Sequence, residues 1–204
     1  MIKNKNYNYK EIFSLKNKKI IILGGSGNLG KNFSKSLTSA GAKIILGDLK
    51  KTNLGNKINY KYCDVSKKKS LESFFNTTVK KEKKINTLIY NVYSKPKNYY
   101  KKFENYDDTT WEDVLETNLT GAYRASKIMI NHFKKNKING NIILILSTYG
   151  IVGPDLSIYK NLSNKKNIYG GGHPLTTPAS YTTSKSGLLG LMKYLATAFG
   201  KDNI

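Results

Sequence analysis

Short runs of β-branched and aliphatic residues alternate along the chain with longer stretches that have helical periodicity. The runs predict five strands, at 19–23, 43–47, 60–63, 87–91 and 141–147. The stretches between them predict helices at 28–39, 67–81, 110–135 and 179–199. The strands are almost continuously apolar, as strands covered on both faces are. The pattern therefore predicts one α/β domain, a Rossmann-like doubly wound parallel sheet joined by right-handed crossovers.

Local signals add two expectations to this pattern. The spacing of Thr109 and Glu112 is that of a capping box and predicts the start of the third helix there. Segments 94–108 and 151–178 predict loops, and the second contains the glycine run 170–172. Because it is longer than most loops without secondary structure, we expect it to be functional or partly ordered.

Composition narrows the class of protein. A chain of 204 residues fits one domain, and its longest aliphatic runs, 20–23 and 142–146, are too short to span a membrane. The first nineteen residues lack the apolar stretch of a secretory signal. One cysteine, Cys63, excludes an internal disulfide, and with two histidines a zinc cluster is not expected. We expect a cytoplasmic protein with no metal and no membrane partner.

The net charge of +22 indicates an anionic partner such as nucleic acid. The charge is nearly all lysine, since Arg124 is the one arginine among 35 basic residues. Base and phosphate recognition favours arginine for its bidentate fork, and the lysines here are spread along the whole chain. Lysine codons are AT-rich, so genome composition explains the bias. Nucleic-acid binding is kept as an alternative that rests on charge alone.

A glycine-rich turn follows the first predicted strand, with glycines at 24, 27 and 30. Such glycines permit a tight turn, close approach of backbone to a pyrophosphate, and packing of the next helix, whose N-terminus offers free N–H groups. Asp48 closes the second strand 18 residues after Gly30, where a carboxylate holds the adenosine ribose hydroxyls. This favours NAD over NADP, although Lys31, Lys50 or Lys51 could neutralise a 2′-phosphate.

The same stretch nearly matches a P-loop. Gly25, Gly30 and Lys31 are correctly spaced, but Asn32 stands where a Ser or Thr hydroxyl would ligate magnesium. A nucleoside triphosphatase is therefore a less favoured alternative.

Tyr181 and Lys185 lie four residues apart in the last predicted helix, so their side chains share one face. A cation beside a phenol stabilises the phenolate and makes the tyrosine a proton donor or acceptor for a carbonyl or alcohol oxygen. The spacing alone would recur by chance in a chain rich in both residues. Its position after the fifth strand, with Ser147 at that strand's end, is the informative feature, since open α/β sheets bind ligands at strand carboxyl ends.

Taken in order, these segments resemble the short-chain dehydrogenase/reductase family from about Ser14 to the end of the chain. Leu23 stands where the family usually has threonine, and Tyr90, Val92 and Tyr93 depart from its Asn-Asn-Ala-Gly strand. The segments that carry the resemblance are LGGSGNLG, GDL, CDVS, LIYNVY, ETNLTG, LSTYG and YTTSK.

The resemblance implies roles for these residues in hydride transfer between a nicotinamide cofactor and a CH–OH or carbonyl group. Tyr181 is the implied general acid/base, and Lys185 supports it and bonds the nicotinamide ribose. Ser147 holds the substrate oxygen, and Asn118 anchors a water, although Asn118 also fits a packing role. The implied cofactor is NAD, with NADP not excluded, bound by Gly24, Ser26, Gly27, Asn28, Leu29, Gly30, Asp48, Leu49, Asp64 (on adenine), Val65, Asn91, Tyr181 and Lys185.

Ser147 and Tyr181 are 34 residues apart, more than is usual in the family. The extra segment, 154–178, carries Asp155, Tyr159 and His173. Placed beside a small-molecule substrate, it would indicate a polyhydroxylated or sugar-like one. The stretch PDLSIY resembles family members linked to bacterial surface sugars and flagellin modification. The alternative is a surface insertion that does not touch the substrate.

The resemblance also implies a homodimer or homotetramer paired through the helices at 110–135 and 179–199. Family members continue beyond the position of Ile204 into further strands and a substrate-covering helix pair. We therefore expect a fragment of a longer reading frame, or a truncated protein whose fifth strand leaves an open, aggregation-prone sheet edge. A genuine truncation would favour a non-catalytic dinucleotide-binding protein.

Overall fold

The computed structural model describes residues 9–55, 58–162, 166–170 and 172–204. Five parallel strands form one sheet in the order β3-β2-β1-β4-β5. This confirms the predicted α/β class with a parallel, Rossmann-like sheet. The strands are β1 (Lys19–Leu23), β2 (Lys43–Asp48), β3 (Ile58–Tyr62), β4 (Thr87–Tyr90) and β5 (Asn141–Leu144).

In the described chain, helices follow β1, β3, β4 and β5 and cover both faces of the sheet. They are α1 (Tyr9–Ile12), α2 (Asn28–Ser39), α3 (Lys68–Glu82), α4 (Asp108–Leu115), α5 (Gly121–Asn136) and α6 (Ala179–Phe199). Short 3₁₀ turns occupy Phe103–Asn105, Thr148–Gly150, Leu156–Leu162 and Gly200–Asp202. In the described part of the chain, no helix combines the length and apolarity needed to cross a membrane.

Alternate residues of β1 enter two different cores, because successive side chains of a strand point to opposite faces. Ile21 and Leu23 pack in the larger core with side chains from α3, α5 and α6. Ile20 and Ile22 pack in the smaller core with Phe33 of α2. The central strand is thus buried on both sides, as its continuous apolar sequence predicts.

The third predicted helix is interrupted. A single π turn, Glu116–Thr120, separates α4 from α5, where the sequence predicts one helix over 110–135. The buried Tyr90 hydroxyl donates to the Thr117 carbonyl there and lies where a Cβ on Gly121 would sit. The predicted capping box is wrong, since the helix begins at Asp108 after an N-cap at Asp107, leaving Thr109 inside it.

The last strand ends earlier than predicted. β5 pairs with β4 from Asn141 to Leu144, and β4 itself ends at Tyr90, the partner of Leu144. Ser147 therefore lies three residues beyond the strand, in the turn that leads toward α6. β5 forms one edge of the five-stranded sheet, and Ile143 on it is 45% exposed.

A buried carboxylate joins the end of α3 to the amino ends of β1 and β2. Glu82 is almost fully buried, and its Oε2 lies 3.1 Å from the Lys19 ammonium and 2.8 Å from that of Lys43. Lys19 also donates to the Glu82 backbone carbonyl at 2.7 Å. The first residues of β1 and β2 are thereby tied to the last turn of α3.

Candidate functional site

The glycine-rich turn after β1 is pressed against the ends of neighbouring elements. Gly24 has φ +78°, and a Cβ there would lie 2.6 Å from the carbonyl oxygen of Asn91. The Asn91 side chain in turn donates to the Gly24 carbonyl at 3.0 Å. A Cβ on Gly30 would lie 2.4 Å from that same carbonyl. Gly24 and Gly30 are therefore required by the packing of the turn itself.

Gly27 is different, because the protein's own packing does not require it. A Cβ there would meet only the Gly24 carbonyl oxygen, at an ordinary 3.7 Å. Gly27 is the N-cap of α2, and no side chain in the described residues caps this end. The N–H groups of Asn28 and Leu29 thus begin a helix of twelve residues beside open space, an arrangement that accommodates a phosphate. The turn fits a dinucleotide in this respect.

Asp48 links the glycine-rich turn to the end of β2. Its carboxylate accepts from the backbone N–H of Ser26 at 2.9 Å and of Lys50 at 3.1 Å, while the Ser26 hydroxyl donates to the Lys50 carbonyl at 2.6 Å. Each carboxylate oxygen retains capacity for a further donor. Leu29 and Leu49 are both exposed beside this group. The structure thus brings the predicted turn and ribose-site residues together.

Asp64 and Val65 lie after β3, in the approach to α3. One oxygen of the Asp64 carboxylate accepts from the Ser66 N–H at 3.0 Å and from its hydroxyl at 2.7 Å. The Val65 side chain is buried in the larger core. A cofactor contact from Val65 would therefore come from its backbone.

Lys185 is buried on the face of α6 that carries Tyr181. It is 4% exposed, and its ammonium donates to the Ile145 carbonyl, just past β5, at 2.6 Å. The same ammonium lies 5.8 Å from the centroid of the Tyr181 ring. Burial lowers the pKa of Lys185 to about 8 from an ordinary value of 10.5. The predicted pair therefore sits together at the carboxyl end of β5.

The turn that follows β5 packs directly on this part of α6. Ser147 is the N-cap of the 3₁₀ turn Thr148–Gly150, and its hydroxyl accepts from the Tyr149 N–H at 3.2 Å. A Cβ on Gly150 would lie 2.8 Å from the backbone carbon of Lys185, and the Ser186 hydroxyl donates to the Gly150 carbonyl at 3.0 Å. Close contact at a glycine thus holds the Ser147 turn against the Lys185 turn of the helix.

Asn118 is fully buried in the π turn and bonded at both ends of its amide. Its Oδ1 accepts from the Ser94 N–H at 2.8 Å, and its Nδ2 donates to the Ser184 hydroxyl at 3.0 Å. The Ser184 hydroxyl in turn donates a hydrogen bond to the Tyr181 carbonyl at 2.8 Å. These bonds support the packing interpretation of Asn118, since they tie the loop after β4 to α6.

Tyr181 itself borders a small aromatic cluster. It packs with Leu175 against the buried Tyr99, Tyr100 and Val114. The rings of Tyr99 and Tyr100 meet edge to face. Burial raises the pKa of both Tyr99 and Tyr100. Both phenols therefore stay neutral at neutral pH.

Leu175 of segment 154–178 packs in the cluster that includes Tyr181, and the substrate contact considered for this segment stays a prediction. Four residues of the segment near 154–160 and the stretch 173–178 line a cavity of about 1220 Å³ together with residues 100–105 and the start of α6. Ser147, Tyr181 and Lys185 are not among the lining residues. The glycine run is only partly visible, because Gly171 lies outside the described residues.

Two residues that shape the site escape sequence reasoning. Gly150 and Ser184 act only through contacts between distant segments. No motif distinguishes Gly150 from the other glycines of the chain, and Ser184 lies inside an ordinary helical stretch. The available hints are positions near predicted site residues, since Gly150 lies three residues after Ser147 and Ser184 directly precedes Lys185.

Comparison with known proteins adds a family to this geometry. Residues 18–160 match the family model described as short chain dehydrogenase. The 7alpha-hydroxysteroid dehydrogenase of Bacteroides fragilis is 25% identical over 198 residues, covering 92% of this chain and 68% of that protein. The post-translational flagellin modification protein A of Campylobacter coli is 26% identical over 204 residues, covering 93% and 74%.

Solved structures show the same fold. A short chain dehydrogenase from Leptospira borgpetersenii, determined with bound NAD+, superposes with a TM-score of 0.80 at 23% identity, over 97% of this chain and 71% of that one. The crystal structure of gox2181 superposes with a TM-score of 0.78 at 21% identity, over 96% and 72%.

Proposed function

The chain belongs to the short-chain dehydrogenase family, and we propose that Tyr181, Lys185 and Ser147 carry out its oxidoreductase reaction on a CH–OH or carbonyl group. The observation that carries the proposal is the buried Lys185 ammonium, 5.8 Å from the Tyr181 ring, with the Ser147 turn packed against the same stretch of helix. Proximity of a buried cation and a phenol is what proton exchange with a substrate oxygen requires.

Each side chain has a distinct task in this proposal. Tyr181 gives its phenolic proton to a carbonyl oxygen during reduction and takes one from an alcohol during oxidation. Lys185 stabilises the phenolate, and it is positioned to do so by its bond to Ile145. Ser147 donates a hydrogen bond to the substrate oxygen, a preorganised interaction worth about a hundredfold in rate.

A nicotinamide dinucleotide, when bound, supplies or accepts the hydride. We propose NAD, held by the open helix end at Gly27, by Asp48 and by the backbone near Asp64, with Asn91 supporting the turn. The Asp48 carboxylate favours a free 2′-hydroxyl over a 2′-phosphate. Exposed Lys50 and Lys51 lie two and three residues after it, so NADP is kept as the competing cofactor in the test.

For the substrate and the assembly we propose only a class. The family indicates a small CH–OH or carbonyl compound as the substrate. We include sugars among the test substrates because a relative is a flagellin modification protein. We also propose a homodimer or homotetramer through α5 and α6, whose exposed side chains include Tyr123 and Met192.

The deciding experiment is Tyr181→Phe, with Tyr194→Phe as a matched control on the exposed side of the same helix. Binding of NADH and NADPH is followed by fluorescence, and turnover is measured on secondary alcohols, hydroxysteroids and sugars. We expect Tyr181→Phe to bind NADH like the wild type and to lose turnover at least a hundredfold, while the control keeps both. Equal turnover in Tyr181→Phe would refute the assignment. NADH binding without turnover on any substrate would favour the non-catalytic dinucleotide-binding alternative.

A further inference from the structure

A groove between α3 and α5 lies apart from the residues of the proposed reaction. It encloses about 510 Å³, within the range of about 300–1,000 Å³ typical of small-molecule sites. One face of each helix lines it, with Phe75, Asn76, Val79, Lys80 and Lys83 from α3 and the turn after it, and Ile128, Asn131, His132, Lys135 and Asn136 from α5. Among these described lining residues, none is assigned above to the dinucleotide or to the reaction. We call this site the α3–α5 groove.

The charge of the α3–α5 groove is positive and is not neutralised by its own lining. Its charged residues are Lys80, Lys83 and Lys135, all exposed, and no carboxylate of the described chain lines it. Within the described ranges none of the three lysines forms an ion pair, whereas the neighbouring Lys134 pairs with Asp202. Because lysine ammonium groups bind phosphate as compact point charges, three of them around one groove suit a ligand with a phosphate group.

Lys83 holds an unfavourable backbone conformation at the edge of this groove. Its φ is +57° and its ψ is −57°, and the N–H of Lys84 donates to the Glu82 carbonyl at 2.6 Å across it. This is the rare γ-turn with positive φ, which is strained for a residue that has a side chain and relaxed for glycine. Strain of this kind is typical of ligand-binding segments, and here it accompanies a lysine side chain that lines the groove.

The buried His132 ring lacks an acceptor for its proton. The residue is 6% exposed, and its Nε2 accepts from the Ile85 N–H at 3.3 Å, so the neutral ring carries its proton on Nδ1. Nδ1 lies 3.2 Å from the Asn136 amide nitrogen, which is itself a donor and bonds the His132 carbonyl at 2.8 Å. Reversing the amide would turn its oxygen toward that carbonyl instead. An anion in the groove that His132 lines supplies the missing acceptor.

From these observations we propose that the α3–α5 groove is a binding site for a small organic phosphate. The three lysines hold the phosphate group, and the His132 Nδ1–H donates to one of its oxygens. The organic part packs on Val79 and Ile128, which are half-buried against the larger core. The proposal does not depend on the oxidoreductase assignment, because binding is measured without turnover.

The test titrates phenyl phosphate against the full chain by calorimetry, with and without NAD+. We expect one saturable site whose affinity is the same in both conditions. Lys83→Gln combined with Lys135→Gln should weaken binding about tenfold, about threefold for each partly exposed ion pair. The matched control combines Lys84→Gln with Lys127→Gln, which removes two exposed lysines from the same turn and the same helix outside the groove. It should change the affinity less than about twofold.

A second measurement follows the two histidines by NMR. Phenyl phosphate should shift the imidazole resonances of His132 with the affinity found by calorimetry, while His173, which does not line the groove, stays unmoved. Lys83→Gly separates binding from folding, because glycine relieves the positive φ. This variant should lose as much affinity as Lys83→Gln without a lower midpoint of thermal unfolding.

Four outcomes would overturn the proposal. The first is that phenyl phosphate shows no saturable binding. Equal weakening by the groove pair and the control pair would mean that the net charge of +22, and not the groove, attracts the ligand. Competition by NAD+ would place phenyl phosphate in the dinucleotide turn. Inorganic phosphate binding as tightly as phenyl phosphate would leave the organic part of the ligand without a contact.

Discussion

Replacing Lys185 with methionine should make the protein more stable at neutral pH while removing its proposed activity. Methionine keeps the length of the side chain and removes the charge. Lys185 is 4% exposed, and burial lowers its pKa to about 8 from 10.5. At about 1.36 kcal/mol per pKa unit, the buried ammonium costs about 3 kcal/mol of folding free energy when it is protonated.

The pH dependence follows from which state holds the proton. Below about pH 8 Lys185 is charged in both the folded and unfolded states, so the cost is present in full. Between about 8 and 10.5 the unfolded chain binds a proton that the folded protein has released, so the stability of the wild type rises with pH. Above 10.5 the cost has disappeared.

The hydrogen bond to Ile145 acts in the other direction. Its loss leaves the Ile145 carbonyl without its 2.6 Å partner and costs about 1–2 kcal/mol. Lys185→Met is therefore expected to be about 1–2 kcal/mol more stable than the wild type at pH 7, and about 1 kcal/mol less stable at pH 10.5. The order of the two proteins reverses between these pH values.

The measurement is urea unfolding of both proteins at pH 7 and pH 10.5, with turnover assayed in parallel. Lys193→Met, at an exposed position of the same helix, is the control and should stay within about 0.5 kcal/mol of the wild type at both pH values. If Lys185→Met is destabilised equally at both pH values, the ammonium carries no burial penalty and the reasoning fails.

Two further predictions concern the frame around the site. Gly30→Ala places a Cβ 2.4 Å from the Gly24 carbonyl oxygen, so we expect thermal unfolding to show a loss of stability of about 1–3 kcal/mol, together with weaker NADH binding. The control Gly190→Ala lies in open space on α6 and should stabilise the protein by about 0.5–1 kcal/mol. Equal effects at the two positions would contradict the close contact. For Glu82, burial alone would raise the carboxyl pKa, but hydrogen bonds from Lys43 and Lys19 outweigh it and leave the pKa below its ordinary value. Glu82→Gln should therefore cost about 1–3 kcal/mol at pH 7, with the difference from wild type shrinking as pH falls below about 4, and a pH-independent difference would show that the ion pairs contribute nothing.

The sequence predicts those parts of the fold that are governed by local chemistry. Helices α2 and α6 begin and end where their periodicity predicts, since glycine turns and a proline mark their starts. Asp48 also meets the glycine-rich turn, and Lys185 lies beside Tyr181, as their spacing predicts. In each case a short stretch of chain contains most of the information.

What sequence patterns miss depends on partners that are distant along the chain. The π turn at 116–120 follows from Tyr90 reaching the Thr117 carbonyl and from Asn118 bonding Ser94 and Ser184. The end of β5 is set by its partner strand rather than by its own aliphatic run. Segment 154–178 lines one cavity together with residues 100–105, which lie about fifty or more positions earlier. No periodicity in either segment reports these contacts.

The π turn also sets a limit on how this chain can vary over evolution. It contains one residue more than a regular helical turn, so α5 is rotated by about 100° relative to the direction a continuous α4 would impose. That rotation lets Val114 face the Tyr181 cluster while Ala122 and Met129 face the sheet. A single-residue deletion within 116–120 would turn one of these faces away from its core. Homologues are therefore expected to accept substitutions across 108–136 far more readily than any change in its length.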